Sequence, residues 1–119
     1  MKKILFLVAL VISSPAEAAS WRLVGETANG RNKAWIDVDS IKRGSEAIGA
    51  WHRISLGDGS WATGFSAFRC ETKMYMDLRL TFYSPDGSST NMDKSLKGEW
   101  TMPVPDSLME GVLEGVCAE

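Results

Sequence analysis

Lys73-Met74-Tyr75-Met76-Asp77-Leu78-Arg79-Leu80-Thr81-Phe82-Tyr83 is the stretch that decides the fold. Apolar side chains stand at every second position: Met74, Met76, Leu78, Leu80 and Phe82. Lys73, Tyr75, Asp77, Arg79, Thr81 and Tyr83 fill the places between. A strand turns successive side chains to opposite faces, so this period predicts a strand with one face on a core. Ser84-Pro85-Asp86-Gly87 ends it with turn chemistry, and a weaker, polar strand is expected from about Ser88 to Lys94.

Toward the N-terminus the same grammar repeats. Trp61 to Cys70 reads as a strand, preceded by the hairpin signal Gly57-Asp58-Gly59. From Ala47 to Leu56 the residues Ile48, Ala50, His52, Ile54 and Leu56 share one face, and Trp51, Arg53 and Ser55 share the other. Lys33–Val38 and Trp21–Gly25 are further strands, separated by a turn at Asn29-Gly30. Asp39-Ser40 opens another turn, with Lys42-Arg43 expected as solvated turn residues. Toward the C-terminus the period changes. Pro103 and Pro105 stop any strand, and Ser107-x-x-Glu110 is a capping box that opens a helix. Leu108, Met109, Val112, Leu113 and Val116 recur at helical spacing. Gly111 and Gly115 each lower helix propensity by about 1 kcal/mol, so this helix needs a surface to pack on. The expected fold is α+β: a roughly six-stranded antiparallel meander with one C-terminal helix packed on it.

The first residues read as an export signal. Lys2 and Lys3 give a positive start, Ile4 to Ile12 an apolar run, and Ala16-Glu17-Ala18 a cleavage site with small residues at the recognised positions. The run is too short for the ~20 residues of a membrane span. Cleavage is expected after Ala18, with Ala16 as the alternative, leaving residues 19–119 as one domain in the periplasm or on the outer cell surface. The chain carries a formal net charge of −2, and loss of Lys2, Lys3 and Glu17 makes the remainder slightly more acidic. That balance gives no general electrostatic case for nucleic acid or anionic membrane. In an exported domain the two cysteines, Cys70 and Cys117, read as a structural disulfide. It would tie the helix end to the sheet and contribute roughly 4 kcal/mol in the chain-entropy treatment.

Parity then places side chains. If Cys70 reaches the helix, Phe68, Ser66, Gly64 and Ala62 face it too, and these mostly small residues would let the helix come close. Met74, Met76, Leu78, Leu80 and Phe82 are expected beneath Leu108, Val112 and Val116. Trp61, Thr63, Phe65 and Arg69 face away, and a β-bulge would invert part of this assignment.

No catalytic set is visible. His52, the one histidine, lies on the apolar side of its strand and reads as a hydrogen-bonded, partly buried residue. No G-x-S-x-G occurs, and Asp37 with Asp39 lacks a third ligand for calcium, so Asp39 reads as a turn cap. The expectation is a binding module rather than an enzyme, with no metal or cofactor. The unusual feature is five tryptophans. Trp51, Arg53, Trp61, Tyr75 and Arg79 are the candidate binding residues, on the sheet face opposite the helix, because Trp, Tyr and Arg dominate protein-binding hot spots. A second packing layer or a dimer interface would use the same composition.

Trp21-x-x-Val24-Gly25, Trp35-Ile36-Asp37 with Asp39-Ser40-Ile41, Ile48-x-x-Trp51 and Phe68-x-Cys70 form an ordered series. Leu80-Thr81-Phe82-Tyr83-Ser84 with Gly87, Trp100-x-x-Pro103-x-Pro105 and Cys117 complete it. In order and spacing the chain resembles the surface-adhesin protein E family of exported bacterial domains. The resemblance implies an antiparallel sheet with a disulfide-tethered helix, and adhesion to host extracellular-matrix proteins. The short Gly57–Ser60 turn departs from it, where relatives are expected to carry a longer insertion. The partners expected are therefore a matrix protein or a second copy of the chain; the alternative is an envelope accessory protein with no host partner.

Overall fold

Alternating strands need a partner on each side and one covered face, and the computed structural model shows how both are met. It describes residues 19–119; the expected signal peptide, residues 1–18, lies outside the described residues. The strands are β1 (Trp21–Glu26), β2 (Lys33–Asp37), β3 (Lys42–Arg43), β4 (Ile48–Ser55), β5 (Trp61–Arg69), β6 (Met74–Tyr83) and β7 (Ser89–Asn91), and the helix α1 spans Leu108–Cys117. They form a seven-stranded sheet in the order β1-β2-β4-β5-β6-β7, with β3 also paired to β4. Each of these strand pairs is antiparallel.

Lys42-Arg43 is thus a two-residue strand and not a turn. A 3-10 turn at Val38–Ser40 bends the chain between β2 and β3, so that both pair with β4 in succession. The cap of that turn is Asp37, not Asp39: the Asp37 Oδ1 accepts from the Asp39 and Ser20 N–H groups. Asp39 instead accepts from the Ser20 hydroxyl at 2.6 Å.

The core joins Ala34 and Ile36 of β2, Ala50 of β4 and Phe68 of β5 to Val112, Leu113 and Val116 of α1. Ser107 caps α1 by accepting from the Glu110 N–H at 3.2 Å. Glu110 reaches back one residue further than the usual box, accepting from the Asp106 N–H at 2.8 Å. The helix comes close to β1, where a Cβ on Gly111 would meet the Val24 carbonyl oxygen at 2.9 Å and one on Gly115 would meet Val24 Cγ1 at 2.5 Å. The close approach therefore uses glycines on the helix, not the small residues of β5. Cys70 and Cys117 are bonded, with Cα atoms 5.7 Å apart.

β6 departs from perfect alternation. Phe65 pairs with Arg79, but Ser66 pairs with Asp77, so Leu78 is an extra residue, a β-bulge. Leu80 and Phe82 stay on the helix side, opposite Gly64 and Ala62. Met74 and Met76, opposite Arg69 and Ala67, stand on the other face, and Leu78 is 45% exposed. The expectation that all five lie beneath the helix is corrected on two grounds. The inserted residue turns Met74 and Met76 to the other face. The helix packs on β1, β2, β4 and β5, so Leu80 and Phe82 share its side of the sheet without joining the core beneath it.

Candidate functional site

Strand parity carries the candidate residues to one surface. On β2, Trp35 lies between the buried Ala34 and Ile36 and so faces away from α1. Cross-strand pairing puts Trp35 beside Leu23 and Arg53, and Trp21 beside Asp37, on the same face. Three rows then run across the sheet: Trp51, Phe65 and Arg79; Arg53, Thr63 and Thr81; Ser55, Trp61 and Tyr83. Trp51, Arg53, Trp61 and Arg79 therefore share the face opposite the helix, as expected. Tyr75 does not. The Leu78 bulge turns it to the helix side, where it packs against the core and burial raises its phenol pKa.

The rings support one another. Trp61 and Tyr83 stack with centroids 3.8 Å apart and planes 8° from parallel. Trp51 tilts on Phe65 at 5.4 Å. Arg53 lies over two indoles, Trp61 at 4.3 Å and Trp21 at 4.9 Å. Arg69 lies over Trp100 at 4.0 Å. This mutual packing leaves Trp51 and Trp61 half-buried, while the Arg79 side chain is 61% exposed and meets Asp93 at 3.5 Å. Cation–π contacts of this kind contribute about 0.5–2 kcal/mol each. Trp21, Trp35 and Trp100 were absent from the sequence-derived set. The alternation of Trp35 between two apolar neighbours was the available signal for one of them.

The other face holds a polar chain. His52 is 4% exposed, and its Nε2 lies 2.9 Å from the Ser66 hydroxyl, which donates to Asp77 Oδ1 at 2.7 Å. Burial lowers the His52 pKa from 6.5 to about 4, the Asp77 charge opposing the shift. A neutral His52 must then donate from Nε2, because the one Ser66 proton is committed to Asp77. Its Nδ1 has no hydrogen-bond partner. A serine nucleophile needs the reverse, with its proton directed at the imidazole. Ser66 is also fully buried, so the trio ties β4, β5 and β6 together and has no arrangement for hydrolysis.

Among the described residues no group of His, Cys, Asp and Glu is arranged to hold a metal ion. No helix among them is long and apolar enough to cross a membrane. Residues 21–118 match the family model described as Surface-adhesin protein E. No curated protein and no solved structure matches the chain.

Proposed function

Because the chain belongs to the surface-adhesin protein E family, a family whose name points to an exported, adhesin-like binding role, we propose that it is a non-catalytic module that adheres to a host extracellular-matrix protein through the sheet face opposite α1. One observation carries the assignment of the face. Strand parity sets Trp21, Trp35, Trp51 and Trp61 on the side the helix does not cover, with Arg53 and Arg79 among them. Rigid aromatics bury large area at low entropic cost, and arginine adds directional hydrogen bonds.

The test is binding of immobilised matrix proteins to the parent chain and to Trp51→Ala and Arg79→Ala. Each variant should bind roughly tenfold more weakly or worse, with nearly parental thermal stability for Arg79→Ala. Unchanged binding by both variants would remove this face as the site. Labelling of intact cells with a membrane-impermeant reagent should reach the protein; protection of it there would favour an envelope role without a host partner.

A further inference from the structure

We infer that the depression beside Arg53 is a carboxylate subsite, which takes an Asp or Glu side chain from an acidic segment of the partner protein; this rests on the binding face proposed above.

Arg53 is the first support. Its guanidinium is held between Trp21 and Trp61, its Nε is buried without a hydrogen-bond partner, and among the described residues it makes no salt bridge. A cation partly withdrawn from water without a counter-ion is costly to keep, and a bound anion would relieve that cost. Two indoles already lie within cation–π distance of it, and Arg53 lines the depression. A guanidinium suits a carboxylate, which accepts two parallel bonds from its N–H groups.

The cavity is the second support. A depression of about 180 Å³ lies beside it, lined by Arg53, Ser55, Leu56, Gly59, Ser60 and Trp61. At ~30 Å³ per water in the liquid, that is room for one acidic side chain. Ser55 accepts from the Trp35 indole N–H at 3.1 Å, which leaves its own hydroxyl proton to donate to a guest. The nearest acid in sequence, Asp58, is turned onto the Ser60 N–H and hydroxyl and does not line the depression.

Charge and ring orientation select the occupant. Lys33, Arg53, Arg69 and Arg79 lie on this face, with Glu26 and Asp37 toward its margin and Asp93 paired to Arg79, on a chain whose net charge is −2. Trp61 and Tyr83 are direct cross-strand partners stacked face to face, so their ring edges, not their faces, point outward. Ring edges carry positive partial charge and suit an anion. A sugar ring would need a free ring face, and Trp61 beside the depression already has Tyr83 stacked on it and Arg53 against it.

Fluorescence anisotropy of the full disulfide-bonded chain with a labelled peptide of alternating Glu and Gly tests this. Its Gln-Gly counterpart and a labelled heparin fragment serve as comparisons. The Glu peptide should bind at least roughly tenfold tighter than the Gln peptide. Arg53→Lys should lose most of that preference, since it keeps the charge but not the planar fork, and Ser55→Ala should lose part of it. Should Arg53→Lys fold poorly, Ser55→Ala carries the comparison alone. Absence of binding by the Glu peptide, equal binding of both peptides, or heparin binding in place of the Glu peptide would each overturn the carboxylate subsite. If the subsite fails while Trp51→Ala still weakens matrix-protein binding, the face stands without it. If Trp51→Ala and Arg79→Ala have no effect there, the face itself is wrong.

Discussion

His52 shows how one buried residue sets an acid limit on the fold. The folded chain refuses its proton until about pH 4, whereas the unfolded chain accepts it near 6.5. Between those values the unfolded state binds more protons, so stability falls as pH falls through that window. At about 1.4 kcal/mol per pH unit the loss is on the order of 3 kcal/mol. Asp58, Asp86 and Asp93, whose pKa values are lowered below 3.8 chiefly by hydrogen bonds, act below this window. Thermal unfolding of the parent should therefore move to lower temperature between pH 6.5 and 4, while His52→Gln should show a much flatter dependence. A parental slope in that variant would assign the acid sensitivity to other groups. The sequence already placed His52 on the apolar side of its strand. Its link through Ser66 to Asp77 was not legible, because Asp77 joins that face only after the bulge.

At the scale of elements, the glycines of α1 reverse the usual propensity argument. Gly111→Ala should favour the isolated helix by about 1 kcal/mol. In the folded protein the new Cβ would meet a backbone oxygen of Val24 at 2.9 Å, which has no rotamer by which to yield. Overpacking of this kind typically costs about 1–3 kcal/mol, so chemical denaturation should find Gly111→Ala less stable than the parent. The strands, the helix and its Ser107 cap were legible because period and turn residues are local signals. The register of β6 was not. Met-Tyr-Met-Asp-Leu-Arg-Leu alternates without a break, and an extra residue in a strand becomes visible only against its neighbour. The same inserted residue accounts for the misplacement of Tyr75 in the candidate site, whereas Trp51, Arg53, Trp61 and Arg79 lie where local parity put them.

For the whole molecule, the Cys70–Cys117 bond joins the end of the helix to the end of β5 across a separation of 47 residues. Cys117→Ser should cost about 2–5 kcal/mol, and hydrogen exchange should show the α1 amides losing protection before those of β4 and β5. Equal loss throughout would mean that helix and sheet unfold as one unit. Met102 and Val104, at 63% and 70% exposed, lie within the loop this bond closes and offer a protease an accessible stretch. A nick there severs the chain without releasing a fragment: the piece carrying α1 stays covalently attached to the sheet. Such a clipped molecule would migrate as one species until reduced and as two afterwards, with the aromatic face still on the larger piece.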